Sequence, residues 1–255
     1  MEFPDVDRVI YRENPLAEVV CQIRYPRILA IDERLPAEFQ EKIGESYPFV
    51  ETQEVTQFSL GVGDQPSPSS RTHYVFRTED ELANITLSSE FVSIRTEKYE
   101  RWEFFKKHIE TALEALYVSY SVGPLSRIGL RYIDLISRNK LGLHECRWSD
   151  LVRPSALGLL AESDVPINSV EELRSATVIE LDDGGKVTMR TGMAETILTG
   201  DEQLFLFDCD FFETRRIKGV DDAIEVCDKF NRKAGKAFRW LINDRLHNAL
   251  GPTNP

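Results

Sequence analysis

Arg127-Ile128-Gly129-Leu130-Arg131-Tyr132-Ile133-Asp134 decides how this chain is read, because its Leu130-Arg131-Tyr132 core repeats the pattern Ile23-Arg24-Tyr25 nearly half of the 255 residues earlier. Fixed-interval self-similarity is the signature of duplicated architecture and must be settled before any motif is weighed. Similar elements flank each copy. The first opens on a strand expected from Glu18 to Pro26 and closes on a helix from Glu100 to Tyr117. The second opens on a strand from Arg127 to Ile136 and closes on a helix from Asp221 to Ile242.

Between these markers the pattern alternates between period two and period 3.6. Val19, Cys21, Ile23 and Tyr25 make one apolar strand face. Leu35, Phe39 and Ile43 at four-residue spacing, with Pro36 at the start, predict a short helix over Pro36 to Ser46. Strands are expected at Val55 to Val62, His73 to Thr78, Leu82 to Ser88 and Phe91 to Lys98. Gly61, Gly63 and Asp64 to Ser70 read as an exposed loop. In the later half, a helical or irregular insert is expected over Trp148 to Leu160. Strands follow over Val170 to Leu181, Lys186 to Arg190 and Gln203 to Thr214, and Gly251 to Pro255 reads as a loose tail. Asp182-Asp183-Gly184-Gly185 predicts a hairpin turn, since glycine supplies the positive φ a tight turn needs. Trp102, Phe105, Ile109, Leu113 and Leu116 form one stripe of the first long helix, and Ala223, Val226, Phe230, Ala234, Phe238 and Leu241 one stripe of the second.

The element order is thus β-α-β-β-β-β-α, then β-α-β-β-β-α with one strand unseen. The expected fold is α+β: a pseudo-duplicated antiparallel sheet with long helices on one face, an arrangement that resembles the saddle of TATA-binding protein. Residues 1–122 and 123–255 are the two expected halves of one continuous domain. That likeness carries no function.

Asn14-Pro15-Leu16-Ala17-Glu18-Val19-Val20-Cys21-Gln22-Ile23-Arg24 and Arg127 to Asp134 resemble the two signature segments of an uncharacterised prokaryotic family. Its members are about this length and scattered sporadically among bacteria and archaea. That distribution implies accessory or mobile genes, in anti-phage defence or toxin–antitoxin loci. The resemblance transfers no catalytic residue.

A net charge of −12 repels phosphate, so non-specific binding to nucleic acid or to anionic membrane is opposed and a nucleic-acid-binding saddle is the weakest of three functional readings. Cys21, Cys146, Cys209 and Cys227 are widely spaced, without a CxxC pair, and read as buried thiols of a cytoplasmic protein. The N-terminus lacks the pattern of a signal peptide, and no apolar run approaches the ~20 residues that a membrane helix needs.

Catalytic signatures are missing. There is no P-loop, GxGxxG, GxSxG or HExxH, and Gly61-Val62-Gly63 lacks the third glycine of a dinucleotide fingerprint. His144-Glu145-Cys146 lacks the PCxxC that would complete a zinc-deaminase pattern. His108 sits among Lys106, Lys107 and Glu110 and reads as an exposed helix residue. No metal ligand set or cofactor is expected.

The informative polar residues lie on strands. Arg127 and Arg131 share one strand face, as do Asp208 and Asp210, while Phe205, Phe207, Cys209 and Phe211 take the other. A ladder of cross-strand ion pairs is the favoured reading over a divalent-metal site, because structural ion networks also gather charges. With Arg24, Arg95 and Arg190 they outline a bare, binding-competent sheet face, near which Tyr74 and Phe76 are also expected. The expected function is therefore a non-catalytic, protein-binding or regulatory module whose partner is the product of a neighbouring gene, with self-association left open. The alternative is a metal-dependent hydrolase or nuclease using Asp208 and Asp210.

Overall fold

The computed structural model describes residues 1–59, 67–166, 169–195 and 202–253. In chain order it contains β1 (Ile10–Tyr11), β2 (Leu16–Arg24), α1 (Leu29–Glu33), α2 (Ala37–Ile43), β3 (Phe49–Ser59), β4 (Ser67–Arg77), β5 (Ala83–Ser88), β6 (Phe91–Thr96) and α3 (Trp102–Ser119). There follow β7 (Arg127–Ile136), α4 (Trp148–Leu151), α5 (Pro154–Leu157), β8 (Arg174–Glu180), β9 (Lys186–Glu195), β10 (Gln203–Glu213), α6 (Val220–Leu241), α7 (Asp244–Ala249) and β11 (Pro252–Thr253). The fold is α+β, with a large antiparallel sheet and several helices. Among the described residues no helix is long and apolar enough to cross a membrane.

Two compact units divide the chain. The first comprises Met1–Val19, Leu130–Glu213 and Cys227–Pro255, and the second Val20–Gly129 and Thr214–Val226.

In the second unit the strand order is β3-β4-β5-β6-β2. The two-residue turn Ser89-Glu90 sets β5 against β6 with Ser88 opposite Phe91. Alternation decides the buried face: Cys21 and Ile23 of β2, Ile85 and Leu87 of β5, and Val92 and Ile94 of β6 are fully buried. The α3 stripe of Trp102, Phe105, Ile109, Leu113 and Leu116 is buried as its spacing demands. Phe39 of α2 stacks on Phe76 of β4 with ring centroids 5.5 Å apart.

In the first unit the order is β7-β10-β9-β8. Phe205, Phe207, Cys209 and Phe211 of β10 point to the helices. Phe205 meets Trp148 at 5.3 Å, Phe207 meets Phe238 at 6.2 Å and Phe211 meets Phe230 at 6.3 Å, centroid to centroid. Each fully buried phenylalanine contributes about 1.5–3 kcal/mol by leaving water. The Asp182–Gly185 turn forms as expected, with Gly184 at φ 83°. All four cysteines are buried, and none is in a disulfide.

Several expectations need correction. Gly251 to Thr253 are not loose: Arg12 N–H donates to the Gly251 carbonyl at 3.1 Å, and β11 pairs with β1. The remainder of that tail, Asn254 and Pro255, and the residues Leu60 to Pro66 lie outside the described residues. Ser67 to Ser70 belong to β4, not to a loop, because β3 and β4 pair along their full length from Phe49↔Arg77 to Ser59↔Ser67. Backbone pairing, which has no side-chain signature, sets those limits. Tyr74 and Phe76 are 6% and 0% exposed, so neither lies on an open face. His108 is half-buried: its Nδ1 lies 2.6 Å from the hydroxyl of Tyr47, and burial lowers its pKa.

Candidate functional site

The charged residues singled out from the sequence divide between the units. Arg131, Arg190, Asp208 and Asp210 belong to the first; Arg24, Arg95 and Arg127 belong to the second.

In the first unit β10 runs between β7 and β9, and its even-numbered residues face away from the helices. The register sets Asp208 directly opposite Arg190 on β9. Arg131 of β7 reaches the same carboxylate from the other side. Its Nε donates to Oδ1 at 2.6 Å and its Nη2 to Oδ2 at 2.7 Å, a bidentate fork. Arg190 Nη1 adds a third hydrogen bond to Oδ2 at 3.2 Å. The Asp208 side chain is only 4% exposed, while those of Arg131 and Arg190 are 42% and 44% exposed.

The buried anion therefore acts as a post on which two half-exposed cations are fixed. Hydrogen bonding to Asp208 raises the Arg131 pKa, with Asp210 and Glu18 adding to the attraction. The fork leaves Arg131 Nη1, and the single bond leaves Arg190 Nε and Nη2, without a partner among the described residues.

The other candidates are placed differently. Asp210 lies opposite Thr188 and acts on Arg131 electrostatically. Arg95 pairs with Glu97 at 3.0 Å on its own side of the second unit. Arg24 is exposed at the end of β2. The Arg127 guanidinium lies directly over Gly129, where a Cβ would collide with it. So the ladder forms at Arg131–Asp208–Arg190.

A scan against protein-family models finds no match for this chain, and a search of curated proteins finds none either.

For metal chemistry, the two Asp208 oxygens already accept three charge-assisted hydrogen bonds, so a divalent ion would have to displace both arginines. Among the described residues no group of three or more His, Cys, Asp or Glu is placed to hold a metal ion.

One group escaped the sequence reading. Asp134 lies on the buried face of β7 with Ile128, Leu130, Tyr132 and Ile136, and is 6% exposed. Burial raises its pKa from 3.8 to about 8, so at neutral pH it is a neutral acid. Once ionised, its charge raises the pKa values of Tyr11 and Cys209. The Tyr11 hydroxyl lies 2.8 Å from His247 Nδ1, and burial raises the phenol to about 12. Burial likewise pushes the Cys209 thiol up. In the second unit, a cavity of about 540 Å³ opens beside the first turns of α3, lined by Asp80, Lys98, Arg101, Phe104 and His108 among others. Cations and carboxylates mix along its wall, and no single ligand charge is selected.

Proposed function

We propose that this protein is a non-catalytic binding module that recognises a protein partner through the strand face carrying Arg131 and Arg190. The observation that carries this reading is the buried Asp208 holding two half-exposed guanidiniums. The open Nε–Nη2 fork of Arg190 and the remaining Nη1 of Arg131 suit carboxylate recognition, and fixing them beforehand lowers the ordering cost of binding. Arginines of this kind are common energetic anchors of interfaces. The partner's matching chemistry is an acidic segment, encoded by a neighbouring gene of an anti-phage defence or toxin–antitoxin locus.

We also infer that the chain is one sheet-and-helix layout written twice. The matched order supports it: β2, α1 and α2, four strands and α3, then β7, α4 and α5, three strands and α6. So does the neighbouring of β2 with β6 and of β7 with β10, the opening and closing strands of each half.

The test is binding of purified neighbouring-gene products to wild-type protein and to the Arg131→Ala/Arg190→Ala variant. The reading expects one such product to bind wild type and to be lost from the variant. Binding that ignores both substitutions would overturn it.

A further inference from the structure

Among the described residues β8 pairs with one strand only, β9, and it ends that strand order. Its burial pattern is open almost throughout: every residue but Ile179 is exposed, and Val178 is 62% exposed. The directions of its outward backbone groups follow from two bonds. Met193 N–H donates to the Leu173 carbonyl at 3.1 Å, and Leu181 N–H donates to the Gly185 carbonyl at 2.8 Å. Odd-numbered residues of β8 therefore bond to β9, and the N–H and C=O groups of Arg174, Ala176, Val178 and Glu180 point outward. The Met1 ammonium donating to the Glu180 carbonyl at 2.8 Å agrees with that direction.

Exposed edges are templates for further pairing, and proteins blunt them with proline, bulges or central charges. Arg174-Ser175-Ala176-Thr177-Val178-Ile179-Glu180 has none of these between its ends. Its charges sit symmetrically about Thr177.

We infer that β8 is a self-pairing edge, which takes a second copy of this chain antiparallel across a two-fold axis at Thr177. In that register Arg174 lies opposite Glu180 of the second copy, and Glu180 opposite Arg174 of the second copy. Ala176 meets Val178, and the two Thr177 residues meet at the centre as a close, non-hydrogen-bonded pair. The outward groups of Ala176 and Val178 fall in hydrogen-bonding register on both chains. Sliding one step, which must be two residues to keep that register, sets Glu180 against Glu172 in one direction and against Ala176 in the other. Only the Thr177-centred pairing satisfies both charges. Arg174 currently holds an ion pair with Glu172, but both side chains are largely exposed, so the exchange costs little. A contact of one strand per copy is small, so the dimer is concentration-dependent.

Sedimentation velocity over a concentration series tests this. Wild type should pass from monomer to dimer as concentration rises. Arg174→Glu alone and Glu180→Arg alone should each stay monomeric at concentrations where wild type dimerises. An equimolar mixture of the two should dimerise again, because two like charges on one chain then face two opposite ones on the other. Val178→Pro should also abolish the dimer while circular dichroism and thermal melting hold, since that N–H points away from β9. A wild type that is monomeric to its solubility limit overturns the inference, and so does a dimer that survives both charge reversals.

Discussion

Replacing Asp134 by Asn isolates the cost of a carboxyl buried on an apolar strand face. In the folded chain this group titrates at about 8 against an ordinary value of 3.8. At pH 7 the folded protein therefore holds a proton that the unfolded chain has released. Between pH ~4 and pH ~8 the unfolded state binds fewer protons, so stability falls as pH rises through that window and levels off above it. At 1.36 kcal/mol per pH unit, the group costs the fold about 4 kcal/mol at pH 7, an upper bound because water and relaxation soften buried charges. Asn cannot ionise, so it removes the pH dependence. Its extra N–H carries a constant desolvation penalty of about 1–3 kcal/mol. The stability difference between variant and wild type should consequently move by about 4 kcal/mol in the variant's favour from pH 4 to pH 7, whatever its absolute value. Urea denaturation of both proteins at half-unit pH steps measures it. A difference that stays constant from pH 4 to pH 7 would refute the reasoning.

Other perturbations bear on the same structure. Asp208→Ala leaves two guanidiniums without their shared anion and should cost about 1–3 kcal/mol, at the low side of buried-pair values because both arginines are half-exposed. Combined with Arg131→Ala, its loss in urea midpoint should be less than additive. A Cβ at Gly192 would meet the backbone carbonyl of Leu173, which cannot swing aside as a side chain can. Gly192→Ala should therefore destabilise by about 1–3 kcal/mol in thermal or urea melts. Phe207 is fully buried against Phe205 and Phe238, and Phe207→Ala should cost about 3–5 kcal/mol by the same assays.

Much of this architecture is legible where one side-chain face is dry. β7 runs from Arg127 to Ile136 as its alternation predicts, and the four aromatic and thiol side chains of β10 point to the helices as their spacing requires. Limits set by the backbone are not legible: β3 begins at Phe49 because it pairs with β4, although its residues Phe49 to Glu54 are all exposed. The site is half legible. Face-sharing on a strand brings out Arg131 and Asp208, but the placing of Arg190 on the same carboxylate depends on the register of β9 against β10. Asp210 shares the face of Asp208 and acts on Arg131 through its charge. Asp134 was legible in principle, because it continues the inward series Ile128, Leu130, Tyr132; its charge argues for solvent, and the strand period overrides that preference. His108 looks like a surface residue among lysines, yet it borders the buried Phe105 and Ile109 and finds the Tyr47 hydroxyl across the second unit. Only tertiary packing supplies that partner.

The claim at the centre is that Arg131 and Arg190 are recognition anchors rather than ornaments of a solvated face. Titration calorimetry with each neighbouring-gene product, on wild type and on the Arg131→Ala/Arg190→Ala variant, tests it most directly. The account predicts saturable binding of one product and a loss of at least roughly 100-fold in affinity in the variant, as expected for removing two interface anchors. Equal affinity for both proteins would contradict it.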